Sequence, residues 1–500
     1  MLSVLIALPL AGALLVALIP REREETIRRV GLAVSLGALV VAAWLFRAFD
    51  PASGEMQFAV RVPWIPALGI GYAVGVDGIS LLLVGLTAVI FPLALLGSWG
   101  SITEQVKWFT VAMLSLEGAV FGTFLALDLI LFYVFWEAVL IPMAFLIALW
   151  GGPARRYAAI KFFLYTMAAS VVMLVAILAL HVLGRRLLGE RTFDLEVLAT
   201  MVLPPGVQAW LFAAFALAFA VKVPVWPLHT WLPDAHTEAP TAGSVILAAL
   251  LLKMGTYGFV RFGPMLFPEA LPASAPLLAA LAIVGILYGA VVSWAQTDLK
   301  RLIAFSSVSH LGFVMLGIAS LTEQGLQGSL IQMVNHGIST GALFLIVGVL
   351  YDRTHSRQIA DYGGVAALMP RFAVIFTIVM LSSVALPGTN GFVGEFLILL
   401  GAFQTSTWWA VLGVGGVILS AVYLLWAYQQ VMHGPQAARH PERLVEVTRR
   451  EVLVFAPLVA LIFLIGVYPK PLLDRSEAAV QAVLNRLDRP AMAEPLRRPR

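Results

Sequence analysis

The sequence predicts an all-α polytopic membrane protein with about fourteen transmembrane helices. Three observations carry that expectation. Hydrophobic residues make up 60% of the 500 residues, charged residues only 12%, and mean hydropathy is +0.92; a water-soluble domain carries roughly 25% charge. The apolar residues come in runs of ~20, the length that crosses ~30 Å of hydrocarbon at ~1.5 Å per residue. Leu, Val, Ile, Phe and Trp are spread along the whole chain, which excludes coiled-coil, collagen-like and disordered readings. Cysteine is absent, so there are no disulfides, thiolate metal sites or iron–sulfur ligands. The net charge of +4 is small, and no long basic stripe marks a soluble domain, so nucleic acid is not an expected partner.

Taken in order, the first run (2–19) begins at Met1 without a basic segment and has no small-residue cleavage site behind it. It reads as a retained helix and not as a signal peptide. Runs near 30–49 and 78–98 complete an N-terminal three-helix segment, 1–108. Five spans follow within 109–264, near 109–127, 129–150, 158–184, 206–228 and 241–263. Five more lie within 265–435, near 275–295, 301–320, 329–351, 371–400 and 408–432. A last span near 452–468 and a basic tail occupy 436–500. The longest loops, near 50–77 and 184–206, are too short for a soluble domain. Function is therefore expected in the helices, their breaks, or contacts with other subunits.

Charge sets the orientation. About sixteen basic residues fall in loops that follow odd-numbered spans and six in loops that follow even-numbered ones, Arg261 among the six. Basic loops stay in the cytoplasm, so both termini are expected on the outer face. The tail, with Arg497, Arg498 and Arg500, weakens this bias, but it also carries acidic residues and lies largely far from the last span.

Ionisable residues inside apolar runs are the candidates for chemistry, because a charge at mid-membrane costs ~3 kcal/mol or more. Of six lysines, Lys107, Lys161, Lys300 and Lys470 sit at span ends, where an ammonium can snorkel; Lys222 and Lys253 do not. Glu117, Glu137 and Glu395 lie at similar depth, and Asp128 reads as a loop or cap residue. A structural ion pair would account for such groups blandly. The functional alternative is that a buried Glu–Lys pair with adjustable spacing controls whether the lysine keeps its proton: together both charged forms are favoured, apart each relaxes toward neutrality. His310 (SSVSHLGF) and His336 (MVNHGIST) lie in successive spans, flanked by Ser306, Ser307, Ser309, Asn335 and Ser339. Either alone could be a satisfied core histidine; together they suggest a polar path suited to protons near neutral pH.

Two spans are broken. AFAVKVPVWPLHTWLP places Pro224 two residues after Lys222, and VMLSSVALPGTNGFVGEF places Pro387, Gly388 and Gly391 before Glu395. At membrane depth the freed backbone groups must face protein or a watery cavity. A single break is an ordinary proline kink; paired breaks in corresponding positions of two halves point to a transport path. The stretch 229–244, with His229, Asp234, His236 and Glu238, reads as a short cytoplasmic loop that caps the next helix and lines an entrance, in preference to a metal site. The glycines at 386–391 lack the Lys–Ser/Thr ending of a phosphate loop.

WPLHTWLPDAHTEAPTAGSVILAALLLKMGTYGFVR (226–261), FYVFWEAVLIPMAFLIALWG (132–151), IAFSSVSHLGFVMLGI (303–318), NHGISTGALFLIVGVLYDR (335–353) and LPGTNGFVGEFLIL (386–399) resemble the antiporter-like membrane subunits of respiratory complex I, the proton-pumping NADH:quinone oxidoreductase. Glu395, where L- and N-type relatives and many antiporter subunits carry lysine, makes the resemblance that of the M type. It implies two inverted five-helix repeats, each with a discontinuous helix. It implies that Glu137 pairs with Lys222, that Lys253, His310 and His336 form a central axis, and that Glu395 lies toward the exit. It implies no cofactor in this chain; NADH, FMN, iron–sulfur clusters and quinone are expected in partner subunits, with L- and N-type subunits as neighbours in a bacterial inner membrane. Rival readings are a multi-subunit Na⁺/H⁺ antiporter, a membrane-bound hydrogenase or ferredoxin-driven relative, and a passive scaffold. The scaffold leaves the mid-membrane lysines and paired breaks unexplained. Glu117 and the basic tail have no role carried over by the resemblance.

Overall fold

A computed structural model describes residues 1–434 and 441–488; Arg439 and the tail arginines Arg497, Arg498 and Arg500 lie outside them. Twelve of its helices are long and apolar enough to span a membrane, and two shorter apolar ones, Leu2–Leu18 and Pro370–Ser383, bring the spanning segments to about fourteen. The N-terminal segment is α1 (Leu2–Leu18), α2 (Glu24–Ala48) and α3 (Gly78–Gly97), with a β-hairpin between the last two. The hairpin pairs β1 (Gln57–Ile65) antiparallel to β2 (Ile70–Val76). The first group of spans comprises α4 (Val106–Leu125), the jointed α5 (Leu129–Ala138) and α6 (Leu140–Trp150), and α7 (Arg155–Leu187). After the short α8 (Leu195–Leu198) come α9 (Pro205–Lys222) and α10 (Trp231–Glu238), then α11 (Thr241–Ile246), which passes through a π-helical turn (Leu247–Leu251) into α12 (Leu252–Leu266).

The second group comprises α13 (Ala270–Trp294), α14 (Leu299–Ser320) and α15 (Glu323–Thr354). The short α16 (Val365–Leu368) leads to the broken pair α17 (Pro370–Ser383) and α18 (Asn390–Thr405), and α19 (Thr407–Met432) closes the group. The last spanning helix is α20 (Arg449–Val467), and α21 (Lys470–Leu487) follows it.

Caps explain where several helices begin. Asp77 opens α3 with a reciprocal capping box through Ser80, Asp128 accepts from the amides of Ile130 and Leu131 to open α5, and Thr448 with Glu451 forms a second capping box for α20. The apolar side chains of α11–α12, α14 and α15 are buried on all sides, so these helices form the centre. By contrast α7, α13 and α19 expose Val175, Leu277 and Ile418 among others, the lipid-facing rim of a bundle. Glycine allows a close helix approach: a Cβ on Gly289 would lie 2.7 Å from the Ser309 amide nitrogen, where α13 presses on α14.

The hairpin, α8 and α21 gather on one side, the hairpin face. α21 is amphipathic, burying Ser476, Ala479, Val480 and Val483 at helical spacing across the ends of α3, α12 and α15. Hydropathy had placed only a basic tail there. Three further expectations are corrected. The stretch 229–244 is not a loop but helical and buried in large part, because the α9 break turns the chain back into the bundle as α10. Arg261 is not a loop residue; α12 continues past it to Leu266. Lys300 does not snorkel, because it is buried and donates to the Ala239 carbonyl.

Candidate functional site

The central group starts from the π-helical turn. Widening the helix there leaves the Ala248 carbonyl within 2.5 Å of the Lys253 ammonium, which is fully buried. Lys253 Nζ also lies 2.5 Å from His336 Nδ1 on α15. The His336 ring stands 6.1 Å from that of His310 on α14. His310 Nδ1 is 2.9 Å from Glu395 Oε1 on α18, and the Tyr423 hydroxyl of α19 is 3.4 Å from its Nε2. Lys253, His336, His310 and Glu395 thus form one buried row drawn from four helices.

Uncharged groups hold the row. Gln332 donates to Glu395 Oε1 at 3.1 Å, and Asn335 donates to the Asn390 carbonyl at 2.6 Å. Ser382 donates to Asn390 Oδ1 at 2.5 Å, and its hydroxyl also meets Ser339 at 2.6 Å. The break between α17 and α18 makes this possible. Ala385 adopts φ +63° and Gly388 φ +91°, a turn inside the membrane that delivers Asn390 to the first turn of α18. Gly394 is required beside it, because a Cβ there would fall 2.2 Å from Gln332 Oε1. The same polar side chains line a cavity of about 10 Å³, scarcely one water. Glu395 Oε2 and His336 Nε2 have no hydrogen-bond partner.

The first half is looser. Lys222 ends α9 and is buried, its ammonium 5.1 Å from the centre of the Trp136 ring and 6.0 Å from that of Phe162, with no hydrogen-bond partner. Glu137 is half-buried on α5, one oxygen unpartnered, beside the Tyr133 phenol. Among the described residues no ion pair joins Glu137 to Lys222, although Glu137 is the charge that acts on it. Trp231 Nε1 caps the carbonyl of Val221 at 2.8 Å, which repairs the α9 break.

His236, expected in an entrance loop, lies instead inside the bundle. It is fully buried on α10, stacked on Phe344 at 4.7 Å, and within electrostatic reach of both Lys253 and Lys300, with neither ring nitrogen bonded. Two polar groups close the ends. Opposite the hairpin face, Asp234 takes Lys161 at 2.7 Å and Arg301 at 3.4 Å, while Arg357 bridges Asp298 at 3.2 Å and Glu238 at 3.7 Å. Toward the hairpin face, Arg261 pairs with Asp77 at 2.5 Å. Glu117 stands apart between α2 and α4, buried and accepting from Ser35 at 2.9 Å. Among the described residues no three His, Asp or Glu side chains are grouped as a metal ion would need.

About fourteen spanning segments, two broken helices and a buried Lys–His–His–Glu row define the antiporter-like class of membrane subunit. Residues 126–420 match the family model described as NADH:quinone oxidoreductase/Mrp antiporter, TM. NADH-quinone oxidoreductase subunit M of Rhodobacter capsulatus is 47% identical over 485 residues, covering 95% of this chain and 94% of that one. NADH-ubiquinone oxidoreductase chain 4 of Arabidopsis thaliana is 43% identical over 480 residues, covering 96% of each. A chain in the structure of respiratory complex I from Thermus thermophilus with bound NADH superposes with a TM-score of 0.86 at 35% identity, covering 97% of this chain and 100% of that one. The chain belongs to this family of NADH:quinone oxidoreductase membrane subunits, as an M-type (chain 4) member.

Proposed function

We propose that this chain is a proton-translocating membrane-arm subunit of NADH:quinone oxidoreductase, moving H⁺ along Glu137, Lys222, Lys253, His336, His310 and Glu395 while quinone reduction elsewhere in the complex supplies the energy. The observation that carries the reading is the row from Lys253 to Glu395: titratable side chains successively within reach of one another, in a lipid-embedded core where each is costly without a task. His236 is the group placed to pass charge between the two halves, since it lies near Lys253 and in the segment that follows the Lys222 break. Redox groups and NADH would belong to partner subunits, with L- and N-type subunits as neighbours. The membrane would be the bacterial inner membrane, with the hairpin face and both termini outward. Glu395 in place of lysine favours this over a Na⁺/H⁺ antiporter subunit. The test is Lys253→Met in the intact complex. NADH oxidation coupled to proton ejection should collapse while the complex still assembles; wild-type ejection would refute the reading.

A further inference from the structure

The hairpin face carries a cavity of about 520 Å³ walled by Glu55, Arg61 and Glu196 on one side and by Ala482 and Val483 of α21 on the other. Its lining includes Asp77 and Arg261, both almost wholly buried and joined by their ion pair. Arg261 Nε is 3.3 Å from the Tyr257 hydroxyl, which itself donates to the Phe124 carbonyl at 3.2 Å. Lys253, Tyr257 and Arg261 occur at four-residue intervals on α12, so each stands ~6 Å along the axis from the last, on one face. Tyr257, Arg261 and Asp77 thus form a polar group on the α12 face one turn beyond the central lysine, ending at a cavity with room for water.

We infer that the first half of the chain has its own outlet to the hairpin face, in which Tyr257 and Asp77 carry the proton and Arg261 positions them. This rests on the proton-translocating reading above. When the Lys253 ammonium swings off His336 and the Ala248 carbonyl on its flexible stem toward Tyr257, it gives a proton to the phenol oxygen as the phenol proton, turned from the Phe124 carbonyl, passes by way of cavity water to the Asp77 carboxylate. Asp77 then releases it to the cavity water. Two protons each shift by one place, the net transfer is one proton, no other bond changes, and lysine is left neutral for reloading from His336. Arg261 does not carry protons, because guanidinium stays protonated; it fixes Asp77 at the cavity floor and orients the phenol. A purely structural role would explain the ion pair, which ties the α3 cap to α12. It does not explain why the pair lines an open cavity or why a phenol stands between it and Lys253.

The test uses right-side-out membranes holding the whole complex. Because the chain has no cysteine, Ala482→Cys places one thiol on the exposed cavity wall, and Glu477→Cys places a control on the same helix outside it. A bulky, membrane-impermeant thiol reagent, added after assembly, should reduce protons ejected per NADH severalfold in the first variant and leave the second and the wild type unchanged. Tyr257→Phe should do likewise without reagent. Full ejection from labelled Ala482→Cys and from Tyr257→Phe, with Lys222→Ala inactive, would overturn the outlet and leave the general reading intact. Failure of the Ala482→Cys variant to take up the reagent would show that the cavity is closed to outer water and would also overturn it. Normal ejection by Lys222→Ala would remove the general reading and the outlet with it.

Discussion

At the scale of single residues, Lys222 stands out as a buried charge without a contacting counter-charge. Lys222 rests on the Trp136 and Phe162 rings with no hydrogen bond, and Glu137 is present only as a field. Lys222→Ala should cut proton ejection and coupled NADH oxidation by ~10²-fold, the lower range for a lost proton-transfer group. Glu137→Gln should be as damaging, since an amide supplies no field, and Glu137→Asp milder. Proton uptake in membranes with assembled complex measures both. Glu395→Gln keeps an acceptor for Gln332 but cannot hold a proton, so ejection through the Glu395 end of the row should stop and protons ejected per NADH should fall severalfold while the complex still assembles. Glu395→Lys should not restore it, because a second cation would face His310 where the carboxylate now lies 2.9 Å away; full coupling in the glutamine variant would make Glu395 structural.

At the scale of elements, the breaks are what bring the residues together, and here the sequence was most informative. Pro224 and Pro387 marked them, and lysine, histidine and glutamate inside apolar runs marked the row. Gln332, Asn390, Ser382 and Tyr257 left no such mark, because an uncharged polar residue in a spanning helix is unremarkable until its partner is known. Asp77 and Arg261 were hidden differently: run length misplaces a helix end by a turn, and that turn carried Arg261 from a loop into the bundle. Gly394→Ala tests the α18 break. Its new methyl must push Gln332 off Glu395, so we expect a severalfold fall in turnover and a loss of ~1–3 kcal/mol of stability. Activity and thermal unfolding of the purified complex check the two effects separately.

At the scale of the molecule, polar clamps tie helices together on both faces. Arg353 on α15 forks onto Glu451 at 2.9 Å and also donates to the carbonyls of Val445 and Glu446, so α20 is fastened to a long, buried central helix. Arg353→Ala would leave the partly buried Glu451 carboxylate only its Thr448 cap bond, at a cost of roughly 1–3 kcal/mol. The assembled complex should unfold at lower temperature yet pump normally per turnover; a changed ratio would place α20 in the coupling. About fourteen crossings were legible because hydropathy alone fixes them. The hairpin and α21 were not, because a hairpin with few core side chains and a charged amphipathic helix leave no long apolar run.

The two breaks also differ in polarity. α9 stops at Lys222, so its carboxyl end, where unpaired carbonyls concentrate negative potential, lies against the ammonium. α18 starts at Asn390, and Glu395 sits in its second turn, near the amide-rich positive end. A helix terminus acts as about half an elementary charge, and unlike a side chain it cannot titrate. Each interruption therefore writes into the bilayer midplane a permanent potential matched in sign to the group beside it. Reversing the residues, glutamate at 222 and lysine at 395, would preserve every count of charge and still oppose both fields.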